Sequence, residues 1–79
     1  MVHENLRKIR KAKGVSQSFL AKMLGVSNMT YSRLENGETR IDVERLNTIA
    51  KALDVNVEVF FNQKLTDSVV YKYKEIKTG

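Results

Sequence analysis

Residues 16–40, SQSFLAKMLGVSNMTYSRLENGETR, admit few folds, because their apolar, small and capping residues come in the order of two short helices joined by a tight turn. Ser16 can cap a helix from Gln17 to Leu24 whose stripe of Phe19, Leu20, Met23 and Leu24 faces a core. Gly25 ends that helix and has access to the positive φ angle that a sharp turn demands. Ser27 caps the next helix, Tyr31 and Leu34 face inward, and Asn36-Gly37 supplies the exit signal. Ala21 lies where the two helices approach, and a larger side chain there would push them apart.

The flanking segments supply packing partners. Leu6, Ile9 and Arg10 keep helical spacing up to Gly14, predicting a first helix over residues 4–13. Asp42 can cap a fourth helix in which Val43, Leu46, Ile49, Ala50 and Leu53 form the strongest amphipathic pattern of the chain. Asn56 can cap a short fifth helix over residues 57–62, carrying Val57, Phe60 and Phe61. The expected fold is all-α, a compact five-helix bundle over residues 1–62, followed by a C-terminal extension over residues 63–79. Within that extension DSVVYKYKEI is β-branched, aromatic and partly alternating, so a strand or β-hairpin arm is favoured, although Val69, Tyr73 and Ile76 also align on a helix.

Composition narrows the function. A chain of 79 residues forms one domain, and at that size folding hides only about 60% of the unfolded surface, leaving little room for an enclosed active site. There is no cysteine, hence no disulfide and no thiolate chemistry, which fits a reducing cytoplasm. No apolar run approaches the roughly 20 residues that span a bilayer, and MVHENLRK lacks a signal-peptide core, so a soluble cytoplasmic protein is expected, with no membrane partner. The single histidine, His3, reads as an ordinary surface residue near the terminus; without a glycine-rich phosphate loop or a paired-carboxylate pocket, no catalytic residue, metal or cofactor is expected, and the chain reads as a non-enzyme. The net charge of +5 favours an anionic partner, and Arg7, Lys8, Arg10, Lys11 and Lys13 crowd the first segment against Glu4 alone. For Lys8 and Lys11 a solvated helix face is explanation enough.

With Tyr31 and Leu34 inward, a turn of about 100° per residue places Met29, Ser32, Arg33 and Asn36 on the opposite side and Asn28 at its edge. Arg33 can donate two hydrogen bonds to guanine, Asn28 can pair with adenine, and Met29 can press on a thymine methyl. A merely solvated face explains Ser32 and Asn36 equally well but leaves Met29 exposed without reason. Tyr31 needs a partner or solvent for its hydroxyl, which places it within reach of a phosphate as well as the core.

Taken with LRKIRKAKGV before it and LNTIAKALDV after it, the stretch resembles the phage-repressor type of helix-turn-helix, the Cro/repressor or XRE family with its lambda-repressor-like DNA-binding domain, over residues 6–61. The resemblance implies that Asn28, Met29, Ser32 and Arg33 read bases. It implies that Gln17 grips a phosphate, that Asn36, Thr39 and Arg40 meet the DNA backbone, and that Arg10 and Glu35 form an internal pair tying the first helix to the end of the third. Ile41 and Asp42 stand where the family often has a proline, and Tyr31 where it usually has a branched aliphatic.

Such proteins commonly bind as two-fold dimers on half-sites one helical turn, roughly 34 Å, apart. Phe60, Phe61, Val69, Val70, Tyr71, Tyr73 and Ile76 are the candidates for joining two copies. The expected function is a sequence-specific regulator of transcription that binds double-stranded DNA, a bacterial or phage repressor on an inverted-repeat operator as a homodimer. The alternative is a protein-interaction module such as the antitoxin of a toxin–antitoxin pair, with a regulatory protein as partner.

Overall fold

A computed structural model describes the backbone of residues 1–78 and the side chains of residues 1–73. Five α-helices follow one another: α1 (Val2–Ala12), α2 (Gln17–Leu24), α3 (Asn28–Glu35), α4 (Val43–Leu53) and α5 (Gln63–Thr78), with a 3-10 turn, Val57–Phe61, between the last two. Side chains that bond free backbone amides start α2, α3 and α4. Ser16 accepts from the Phe19 amide at 3.1 Å, Ser27 from Thr30 at 3.1 Å, and Asp42 from Arg45 at 2.7 Å. Gly25 ends α2 at φ +70°, and a Cβ built there would meet nothing within 4 Å. The turn therefore needs glycine for its backbone angle, not for space.

The core collects Leu6 and Ile9 from α1, Leu20 and Ala21 from α2, Tyr31 and Leu34 from α3, and Leu46, Ile49 and Leu53 from α4. Phe60 closes it from the 3-10 turn. Buried polar groups fasten that closure: Asn5 Nδ2 donates to the Phe60 carbonyl at 2.8 Å, and the hydroxyl of the fully buried Thr66 donates to the Val59 carbonyl at 2.6 Å.

One expectation is refined and one is corrected. The short fifth helix expected over residues 57–62 is present and is of the 3-10 kind, Val57–Phe61, whereas residues 67–76, favoured as a strand, are helix. An isolated strand would have left its backbone groups without a sheet to pair with. As a helix the segment satisfies them internally, Asn62 Oδ1 caps it by accepting from the Leu65 amide at 3.1 Å, and Thr66, Val69, Val70 and Tyr73 turn toward α1 and the core. Tyr73 is held by Lys13, whose ammonium stands 4.5 Å from the ring centre and 3.0 Å from the hydroxyl.

Candidate nucleic-acid interface

Helix α3 is fixed from behind and open in front. Tyr31, Leu34 and Glu35 are fully buried, whereas Asn28, Met29, Arg33 and Asn36 are exposed and Ser32 is half-buried on the outward side. Met29 is 65% exposed, a level that no packing need explains. Its sulfur receives the Arg33 guanidinium at 3.5 Å, so the two side chains lie along the same strip of helix one turn apart.

The rigidity of this helix traces to one buried carboxylate. Arg10 holds Glu35 with both prongs of its fork, Nε to Oε2 and Nη2 to Oε1, each at 2.8 Å, and spends a third donor, Nη1, on the Val15 carbonyl at 2.8 Å. One guanidinium thus ties α1, the loop after it and the end of α3 together. Burial pushes the Glu35 pKa up, but the hydrogen bonds from Arg10 and its other neighbours outweigh burial and hold the carboxyl below its usual range. The hydrogen bond to Glu35 likewise raises the pKa of Arg10 against the opposing effect of burial.

Gln17 takes a place that its sequence position did not predict. Its Nε2 donates to Glu35 Oε1 at 3.1 Å, so the side chain expected to grip a phosphate here braces α2 against α3. The Tyr31 hydroxyl is buried beside the Glu35 carboxylate, and burial followed by that carboxylate raises its pKa, so it faces neither solvent nor a phosphate.

Arg7 was not singled out, yet it reaches the same place. Its Nη2 lies 3.3 Å from the Glu35 carbonyl and 3.0 Å from Asn36 Oδ1, and its Nε is 4.0 Å from Glu35 Oε1. The signal was available, since residues three apart on a helix share a face and Arg10 was already placed there.

Residues Glu38, Thr39 and Arg40 are exposed in the loop that leaves α3, beside Asn36. Gly37 turns that loop at φ +80° with the His3 imidazole laid against it, so close that a Cβ would come within 2.7 Å of Nε2. His3 is thus half-buried against this loop. A groove of about 480 Å³ runs from His3 and Val2 past Thr39 and Arg40 to Phe61.

Of the dimerisation candidates, Phe60 is corrected: it is fully buried in the monomer core and offers no surface. Phe61 and Tyr71 are 63% and 68% exposed, while Val69, Val70 and Tyr73 are half-buried by packing within the chain. The Ile76 side chain lies outside the described residues. Among the described residues no three His, Cys, Asp or Glu side chains gather where they could share a metal ion, and no helix is long and apolar enough to cross a membrane.

The helix-turn-helix family profile matches residues 6–60, which takes in everything from Leu6 to the buried Phe60. The chain belongs to this family, the phage-repressor type of helix-turn-helix. It is 37% identical over 60 residues to an uncharacterized HTH-type transcriptional regulator of Rickettsia prowazekii, covering 76% of this chain and 46% of that protein. It is 33% identical over 70 residues to repressor protein C2 of Salmonella phage P22, covering 89% of this chain and 32% of the repressor. With antitoxin PezA of Streptococcus pneumoniae it shares 27% identity over 70 residues, 87% of this chain and 44% of the antitoxin. The helix-turn-helix chain thus spans less than half the length of these three relatives. No solved structure matches it. The family is one of DNA-binding transcriptional regulators, which are generally not enzymes.

Proposed function

We propose that this helix-turn-helix chain is a sequence-specific transcriptional repressor that lays α3 in the major groove of an inverted-repeat operator and binds as a homodimer in the cytoplasm of a bacterium, encoded by it or by a phage. The observation that carries the reading is the contrast across α3, with Tyr31, Leu34 and Glu35 fixed behind and Asn28, Met29, Ser32 and Arg33 turned outward. A helix of eight residues is about 12 Å long, which suits a groove about 12 Å wide. Arg33 leaves only a weak sulfur contact when it swings to a guanine, so recognition costs the free protein little. Asn36, Thr39 and Arg40 follow as backbone contacts, and Gln17 contributes through its backbone amide at the open N-terminus of α2, its side chain being engaged with Glu35.

Phe61 and Tyr71, exposed aromatic side chains of the C-terminal region, are the candidates for meeting the second copy. A single domain of this size reads too few base pairs to find one site in a genome, and pairing doubles the reading. The likeness to antitoxin PezA favours a second reading in which the same exposed residues meet a partner protein.

Selection of bound duplexes from a random DNA pool tests the first reading, with light scattering of the full chain and of Phe61→Ser. Enrichment of an inverted repeat and loss of dimer in the variant support it. Enrichment of no sequence refutes it, and a wild-type monomer on DNA refutes the dimer.

A further inference from the structure

Asn36 is an exposed side chain at the end of α3, yet it is not free. Arg7 Nη2 stands 3.0 Å from its Oδ1. A guanidinium donates and never accepts, so the amide atom that faces Arg7 has to be the oxygen. The Nδ2 group, with both its protons, is thereby turned away from α1.

Arg7 Nη2 also serves the helix itself. The Ser32, Arg33 and Leu34 carbonyls take the amides of Asn36, Glu38 and Gly37, leaving the Glu35 carbonyl, which Arg7 supplies at 3.3 Å. The last carbonyls of α3 are all engaged, and a cation stands where the helix dipole favours one. Two donor directions of Arg7 are spent inside the protein, and Nε is drawn to Glu35 Oε1 at 4.0 Å.

We infer that Arg7 is a positioning residue for DNA recognition: it fixes the Asn36 carboxamide so that Nδ2 points a ready donor at a backbone phosphate. The inference rests on the DNA reading above and assigns to α1 a part in it that no base or phosphate contact of Arg7 is needed to explain. A free asparagine must lose its rotation on binding; one already held by Arg7 does not.

The test is a double-mutant cycle with the full chain and its selected operator, read by fluorescence anisotropy across a salt series. Arg7→Met, Asn36→Ala and the double variant are compared with wild type. Arg7→Met is expected to weaken binding about 5-fold, with no further loss in the Asn36→Ala background. The slope of log affinity against log salt is expected to stay at the wild-type value for Arg7→Met. By NMR, the order of the Asn36 side-chain amide in the free protein should fall in Arg7→Met, a change that a purely structural role at the Glu35 carbonyl would not produce. Multiplying losses in the double variant, with a slope lower by about 1, make Arg7 a direct phosphate ligand and overturn the inference. Unchanged affinity in Arg7→Met overturns it too. If wild type selects no operator, the DNA reading has failed instead, and the NMR arm alone then decides whether Arg7 orders Asn36.

Discussion

Replacing Arg10 by methionine gives the sharpest test of the carboxylate that holds α3. The change keeps an unbranched stem that can pack along the core, but strips Glu35 of two hydrogen bonds at 2.8 Å and frees the Val15 carbonyl. Breaking a buried ion pair costs roughly 3–5 kcal/mol, and because the Arg7 Nε already stands 4.0 Å from Glu35 Oε1 and can close in, the expected loss is about 3 kcal/mol at pH 7. A chain of 79 residues has about 4–12 kcal/mol in total. The pH dependence separates this cause from lost packing. In wild type the Glu35 pKa is lowered, so its contribution is complete above the usual carboxylate range and disappears only as pH falls through the lowered value. In the variant burial is no longer opposed by Arg10, the Glu35 pKa rises, and the folded variant gains stability by taking up a proton as pH falls from neutral. The gap between the two proteins should therefore narrow between pH 7 and pH 4.5. Urea unfolding followed by circular dichroism at both pH values measures it. A gap of the same size at both, or one below about 1 kcal/mol at pH 7, would refute the claim that an unpaired buried carboxylate is the source of the loss.

Three further outcomes are expected. On the selected operator, Arg33→Ala should lose about 1–3 kcal/mol and relax one base position, whereas Arg40→Ala should weaken all sequences alike and lower the salt slope; uniform losses from both would reverse the assigned roles. Gly37→Ala should destabilise by at least the roughly 1–2 kcal/mol of a left-handed alanine, and His3→Ala added to it should recover only the steric part from the 2.7 Å approach to Nε2. Tyr31→Phe removes a buried hydroxyl that makes no well-formed hydrogen bond but lies beside the Glu35 carboxylate, so thermal unfolding should show a loss of no more than about 1.5 kcal/mol; a larger loss would mean that the hydroxyl anchors Glu35.

Local signals carried the helices that begin with a capping side chain. Ser16, Ser27 and Asp42 start their helices where expected because an N-cap works within three residues and needs nothing from the rest of the fold. The meeting of Arg10 with Glu35 came through resemblance, since 25 residues separate the partners and no spacing rule spans that distance. The tail failed for the opposite reason: DSVVYKYKEI carries both periods, and the choice was made by Thr66, Val69 and Tyr73 finding α1 and the 3-10 turn. Gln17 shows a different limit. Its residue type suits a phosphate and a carboxylate equally, and the contact with Glu35 depends on a position in space that no spacing rule gives.

The joining of the two ends of the chain also orders events in time. Asn5 reaches across 55 residues to the Phe60 carbonyl, and Tyr73 reaches back to Lys13, so α1 is seated by the part of this sequence that is made last. Yet α1 carries Arg7 and Arg10, which hold the end of α3. On the ribosome, α2, the turn and α3 emerge long before α5. A chain ending inside α4 would lack the contacts that Phe60 and Tyr73 make to this end of the fold. The fastening of α3 through α1 is therefore expected to be complete only once α5 and the 3-10 turn have docked on α1.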